Sequence, residues 1–187
     1  MQVDHATGIA WTEHGSGVPV VVLHGFTVDH RLTLDVVESS LRDQPVRRLH
    51  LDLPGHGHST GDGIDSADDV VDRVSAFLES TLGDTPRGFI GSSFGGAVSR
   101  ALTGRAPDRS LGMALLAPMV IADHSARTLP IHAPVNVDRE LAATVDPADW
   151  EDFASITYRQ DRASWDLYVR DVLPGIALGD QEAIARI

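Results

Sequence analysis

The segment Gly91-Ser92-Ser93-Phe94-Gly95 matches the pattern G-x-S-x-G and lies between an apolar run and a helical pattern. A serine on a tight strand-to-helix turn needs small neighbours two positions away on both sides, and Gly91 and Gly95 meet that need. The Ser93 hydroxyl would then project from the carboxyl edge of a sheet, beside a helix N-terminus that favours developing negative charge. The pattern predicts Ser93 as a nucleophile. The alternative is a glycine- and serine-rich turn without chemistry.

A second candidate feature, His24-Gly25-Phe26, directly follows a continuous apolar run. In the functional interpretation this loop forms an oxyanion hole, in which the backbone N–H groups of Phe26 and Phe94 converge on the substrate carbonyl oxygen. Gly25 would let the backbone turn towards the substrate. We interpret His24 as a structural residue that organises the loop rather than as a general base.

Two closely spaced histidines, His56 and His58, lie in the segment DLPGHGHST, which begins at Asp52. Their spacing raises the question of a metal site, but no nearby carboxylate or third histidine has convincing ligand spacing. The chain also has no cysteine, which excludes thiolate ligands and disulfides. We therefore interpret the segment as a structured turn and predict neither a metal nor a cofactor.

Short β-branched runs alternate with helical patterns over the first two thirds of the chain. Strands are predicted at 18–25, 46–55, 87–92 and 111–118, with two short antiparallel strands before them at one edge. Ser66 and Asp69 resemble a capping box that begins a helix ending at Gly83, and another helix follows Ser93. This alternation predicts an α/β fold, a mostly parallel sheet with helices on both faces.

The alternation of apolar runs and helical patterns ends near residue 122. We therefore divide the chain into a core portion, 1–121, and a helical lid segment, 122–187. Asp146-Pro147 predicts the start of one lid helix, and Pro174-Gly175 predicts the end of a second. The lid segment is rich in aromatic residues. We predict Trp150, Phe153 and Trp165 as the lining of an apolar substrate pocket; the alternative is that they pack the lid helices onto the core.

Taken together, HGF at 24–26, DLPGHGHS at 52–59 and GSSFGG at 91–96 resemble the α/β-hydrolase superfamily, specifically its lid-bearing esterases, lactonases and carbon–carbon-bond hydrolases. The resemblance implies Ser93 as nucleophile, the amides of Phe26 and Phe94 as oxyanion donors, and an ester, lactone or related carbonyl as substrate. A serine at the elbow argues against the dehalogenases and epoxide hydrolases of the superfamily, whose nucleophile is aspartate.

The same resemblance requires a histidine base and an orienting carboxylate, both on strands that follow the lid. No such strands are apparent before Ile187, and the last histidine is His132, within the lid. Asp123 is the best acid candidate in the chain, whereas His124 and His132 have no spacing that directs them to Ser93. We therefore expect a fragment of a longer hydrolase with weak or absent turnover; the alternatives are strands supplied by another chain, or a base recruited from the residues present.

The formal net charge of −12 disfavours nucleic acid and anionic membranes as partners. No stretch resembles a signal peptide or is long enough to span a bilayer, so we predict a cytoplasmic protein acting on a small molecule. A sheet without its last strands would expose an edge, which predicts either homo-oligomers through that edge or marginal stability. The competing functional hypothesis is a non-catalytic receptor or binding scaffold with a hydrolase fold.

Overall fold

The protein is described by a computed structural model that covers residues 1–187, except for the side chain of His124. Its main sheet has six strands in the order β1-β2-β4-β3-β5-β6. Their bounds are β1 Gln2–Val3, β2 Ala10–His14, β3 Val18–Leu23, β4 Val46–Leu51, β5 Arg87–Ser92 and β6 Ser110–Leu116. β1 and β2 pair antiparallel at one edge, as does β2 with β4, and the other pairs are parallel. The predicted mostly parallel sheet is therefore confirmed.

Helices cover both faces of this sheet: α1 (Arg31–Leu41), α2 (Ala67–Leu82) and α3 (Phe94–Arg105). Side chains alternate between the faces along a strand. On β4, Leu49 and Leu51 join the hydrophobic core with residues of α2 and α3, whereas Arg48 and His50 bond Glu38 of α1 on the opposite face. No helix in the described part of the chain combines the length and apolar character that crossing a membrane requires.

The sequence predicts α2 but not α1. At the start of α2, the Ser66 hydroxyl accepts the Asp69 N–H, as the N-cap residue of the predicted capping box does, and donates to the Asp69 carboxylate, which also accepts the Asp65 N–H. α1 was not predicted, because its N-cap, His30, makes no side-chain capping bond and only Thr33 and Val37 of this helix are buried. Such a weak apolar stripe gives little periodic signal.

The lid segment contains a two-stranded parallel sheet and five helices. These are β7 (Asn136–Val137), β8 (Arg159–Gln160), α4 (Arg139–Ala142), α5 (Pro147–Ile156), α6 (Arg162–Asp171), α7 (Leu173–Leu178) and α8 (Gln181–Arg186). Asp146 caps α5 as predicted, accepting the N–H groups of Ala148 and Asp149. The division at residue 121 remains a prediction.

The predicted end of the second lid helix before Pro174-Gly175 is confirmed. α6 does end just before this pair, but α7 begins at once, with Pro174 in its first turn. A proline is tolerated there because the first N–H groups of a helix have no intrahelical acceptor. Gly175 serves packing: a Cβ atom at this position would lie 2.7 Å from the Asp29 nitrogen of the core.

β6 forms the far edge of the main sheet and carries exposed apolar side chains. Leu111, Met113 and Leu116 are 62%, 38% and 42% exposed. An apolar groove beside them continues across β3 and β5. Association of copies through this edge remains a prediction.

Candidate active site

Ser93 occupies a strained turn between β5 and α3, with φ 48° and ψ −112°. Its backbone is fixed on both sides, because its N–H donates to Leu116 O at 3.0 Å and its carbonyl accepts from the Met119 N–H at 2.9 Å. The positive-φ residues other than glycine are Thr27, Ser93 and Ala117. Thr27 and Ala117 lie in the loops beside Ser93. Backbone strain concentrated in this way is common at functional sites.

The glycines around Ser93 allow backbone segments to approach closely. A Cβ atom on Gly91 would lie 2.5 Å from Gly95 O, and one on Gly95 would lie 2.3 Å from Leu23 O. A Cβ atom on Gly96 would lie 2.8 Å from the Cβ atom of Pro118. The small residues therefore serve the turn as the pattern predicted, since larger ones would push α3 away from the sheet.

The His24-Gly25-Phe26 loop lies directly beside Ser93. The Gly95 N–H donates to His24 O at 3.0 Å, and a Cβ atom on Gly25 would lie 3.6 Å from the Ser93 Cβ atom. The Phe26 and Phe94 rings are 5.3 Å apart between centroids. Neither the Phe26 N–H nor the Phe94 N–H has a protein acceptor among the described residues. Both amides are thus free to bind an oxygen of a ligand.

His24 is fully buried and uses both ring nitrogens. Its Nδ1 lies 2.6 Å from Gly25 O, and its Nε2 accepts the Leu53 N–H at 2.9 Å. Burial, with a further contribution from His56, lowers the pKa of His24 to about 3. A neutral ring with both nitrogens engaged suits the loop-organising role and not that of a base.

His56 packs beneath the two candidate oxyanion residues, a position that the sequence did not reveal. Its ring lies 5.4 Å from the Phe26 ring and 6.5 Å from the Phe94 ring, measured between centroids. Its Nδ1 bonds Pro54 O at 2.9 Å, while its buried Nε2 has no partner among the described residues. Burial lowers the pKa of His56, so the ring is neutral and acts as an aromatic support for the loop.

Asp52 pairs chiefly with His30, which the sequence analysis did not single out. The Asp52 carboxylate accepts from His30 Nδ1 at 2.7 Å and from the His58 N–H at 2.9 Å. Burial alone would raise the pKa of Asp52, but the bonds from His30 and His58 outweigh it and lower the pKa. Asp29, close enough to share a metal ion with this pair, is bonded to Arg31 at 2.6 Å. Protein donors already satisfy both carboxylates, which makes the cluster a support for the loops.

A cleft of about 480 Å³ opens beside Ser93, between the core loop that begins at Gly25 and the lid helices. The core contributes Gly25, Phe26, Thr27, Val28, Leu32 and Ser93 to its lining; the lid contributes Asp152, Ser155, Ile156, Tyr168, Val172, Ile176 and Gln181. Most of this surface is apolar, and the polar groups are few, which is typical of small-molecule sites.

The three predicted pocket aromatics lie elsewhere in the lid. Trp150, Phe153 and Trp165 contact each other, with ring centroids 5.3 to 6.0 Å apart, in the hydrophobic cluster of the lid. None of the three is among the described residues that line the cleft. These contacts hold the lid helices to each other, whereas the alternative interpretation had the aromatic residues pack the helices onto the core. Asp152 and Tyr168 line the cleft instead.

The candidate acid and base within the chain do not reach Ser93. The Asp123 carboxylate accepts from the Ser125 hydroxyl at 2.7 Å, which lowers the pKa of Asp123 on an exposed loop. His132 Nε2 bonds Ala154 O at 2.8 Å within the lid. The side chain of His124 lies outside the described part of the structure. In the described part, no side chain hydrogen-bonds the Ser93 hydroxyl.

Comparison with known proteins gives a family model described as serine aminopeptidase, S33, which matches residues 18–173. The chain is 33% identical over 107 residues to the pimeloyl-[acyl-carrier protein] methyl ester esterase of Vibrio campbellii. It is 28% identical over 128 residues to the (E)-2-((N-methylformamido)methylene)succinate hydrolase of Acinetobacter baylyi. These matches cover 56% and 68% of this chain but only 38% and 48% of the two relatives.

Among solved structures, an alpha/beta superfamily hydrolase from Oenococcus oeni superimposes on the whole chain. The TM-score is 0.89 at 26% sequence identity, and the match covers 100% of this chain and 69% of that protein. The arrangement of sheet, elbow and lid segment described above is therefore one that a known hydrolase shares.

Proposed function

The chain belongs to the α/β-hydrolase superfamily, and on this basis we propose that it is a serine hydrolase with Ser93 as its nucleophile. The names of the relatives support hydrolysis as the type of reaction. They describe different substrates, so none of those substrates is carried over. The proposed substrates are small-molecule esters, lactones or related carbonyl compounds.

In the proposed reaction the Ser93 Oγ bonds to the carbonyl carbon and its proton passes to a general base. The oxygen that becomes negative accepts hydrogen bonds from the N–H groups of Phe26 and Phe94. Collapse of this intermediate breaks the ester bond, and the leaving alcohol takes up the proton. Water then attacks the acyl-enzyme and releases the acid and free Ser93. A single donor of this kind typically contributes about 10²- to 10³-fold to kcat.

The general base is the part that the described residues do not supply. In the proposed reaction this role belongs to a histidine oriented by a carboxylate, as the resemblance implies. Without a base, catalysis through the oxyanion hole and substrate binding alone would be several orders of magnitude weaker. We therefore expect weak or absent turnover from residues 1–187.

One observation carries the proposal: a serine in a strained elbow faces a cleft beside two backbone amides that have no protein acceptor. Maintaining such a backbone conformation costs free energy, of order 1 to 3 kcal/mol. A protein that only binds small molecules would not need this strained conformation. The competing hypothesis, a non-catalytic small-molecule receptor, requires the cleft alone.

A fluorophosphonate probe distinguishes the two hypotheses, because it forms a covalent bond with an activated serine. In residues 1–187 we expect at most weak labelling of the peptide that contains Ser93, because these residues do not supply the general base. Any labelling should be lost in Ser93→Ala and retained in the matched control Ser92→Ala. Repeating the comparison in any longer chain that includes residues 1–187 separates a missing base from a serine without catalytic role. No labelling in either chain would favour the receptor.

A further inference from the structure

The lid side of the cleft presents one ionised side chain close to the reacting position. α5 directs Asp152, Ser155 and Ile156 towards the cleft, since residues three and four positions apart share a helix face. Ser93 lines the same cleft from the core side. A ligand bound over Ser93 in this cleft therefore shares the cleft with Asp152.

No positive charge opposes Asp152 in this cleft. Its described lining contains neither an arginine nor a histidine, and the sequence has no lysine. On the neighbouring helix α6, Arg162 pairs with Asp166 at 2.9 Å and Arg170 pairs with Asp171 at 2.6 Å. The cleft therefore holds a negative potential that these cations leave uncompensated.

The influence of this charge extends to Tyr168, on the other side of the lid cluster. Burial raises the pKa of Tyr168, and the charges of Asp152 and then Asp149 raise it further. Asp149 lies one turn before Asp152 on α5 and adds charge of the same sign. An anionic group in the cleft would meet the same repulsion.

We propose that Asp152 determines substrate specificity by excluding acyl groups that carry a carboxylate, so that the cleft accepts esters with an uncharged, apolar acyl chain. This inference rests on the proposed function, because it assigns the substrate class of the Ser93 site. Phe26, Val28 and Val172 supply apolar contact for the chain. A like charge bound in the same cleft should weaken binding by about three- to tenfold and not more, because Asp152 is exposed and water screens its charge.

The test compares two esters of equal length, methyl pentanoate and monomethyl glutarate, which differ by a terminal carboxylate. Their binding is measured by ligand-observed NMR on the full chain carrying Ser93→Ala, so that neither ester is consumed. We expect the protein with Ser93→Ala to bind methyl pentanoate more tightly than monomethyl glutarate. Adding Asp152→Asn should raise the affinity for monomethyl glutarate about three- to tenfold and change the affinity for methyl pentanoate less than twofold.

Glu151→Gln is the matched control, because it removes the neighbouring charge from a residue that does not line the cleft. We expect it to leave the ratio of the two affinities unchanged, and 1 M salt to reduce the discrimination in the parent chain. An unchanged ratio in Asp152→Asn, an equal effect of Glu151→Gln, or no binding of either ester would overturn the proposal. Since binding requires no catalysis, these outcomes are independent of whether Ser93 is labelled by the fluorophosphonate.

Discussion

Replacing Gly95 with alanine tests whether close backbone approach holds the Ser93 elbow in place. Gly95 and Gly104 both lie in α3, and alanine in a helix is favoured over glycine by about 1 kcal/mol at either position. Their surroundings differ. A Cβ atom on Gly95 would lie 2.3 Å from Leu23 O and 2.4 Å from His24 O, whereas nothing lies within 4 Å of one on Gly104.

The two contacts at Gly95 involve backbone carbonyls, which cannot rotate away as a flexible side chain can. α3 must therefore separate from the end of β3 by about 1 Å, and overpacking of this kind typically costs about 1 to 3 kcal/mol. The shift also stretches the 3.0 Å bond from the Gly95 N–H to His24 O, a loss of about 1 kcal/mol. After the gain in helix propensity, we expect Gly95→Ala to destabilise the fold by about 1 to 3 kcal/mol.

Gly104→Ala is the matched control and should stabilise the fold by about 0.5 to 1 kcal/mol, since it gains helix propensity without a contact. The free energy of unfolding is measured by urea titration with tryptophan fluorescence, and far-ultraviolet circular dichroism checks the helix content. Equal stability of the two variants would refute the reasoning, because the elbow would then tolerate a side chain that the geometry forbids.

Two further predictions concern the supports of the sheet. The Glu38 carboxylate accepts from the Arg48 guanidinium at 2.8 and 2.9 Å and bonds His50, and Arg48 chiefly lowers the pKa of Glu38 to about 2. Because this folded-state pKa is below the usual value, the carboxylate contributes stability above about pH 4.5, by about 2 to 3 kcal/mol, and the contribution is lost as the pH falls towards 2. Glu38→Gln should flatten this pH dependence in urea titrations, while the exposed Glu182→Gln should keep it. Ser66→Ala, which removes the α2 cap, should cost about 1 kcal/mol in the same assay, and an unchanged unfolding midpoint would contradict the capping role.

The elbow and the capping box could be predicted from the sequence because their determinants are local. Gly91, Ser93 and Gly95 lie within five residues. The tight turn at Ser93 is possible mainly because the glycines on both sides of it have no side chains. Ser66 and Asp69 likewise reach each other within one helical turn. The continuous apolar run VPVVVL was also sufficient to predict β3.

The residues of the cleft could not be assigned in the same way. Phe153 and Asp152 are adjacent in α5, yet Phe153 is fully buried in the lid cluster and Asp152 lines the cleft. An aromatic stripe shows that a helix has an apolar face but not which neighbour covers it. Here Trp150 and Trp165 pack between the lid helices, so these aromatic side chains do not line the cleft.

The sequence by itself determined the nucleophile candidate, the loop beside it and the main strands of the sheet, because each follows from short-range spacing and from local composition. Tertiary structure alone decided that His30 is the partner of Asp52, that His56 packs against Phe26 and Phe94, and that Asp152 and Ser93 line the same cleft. These relations join residues from separate elements, and they depend on how helices pack on the sheet and on one another, which local spacing does not encode.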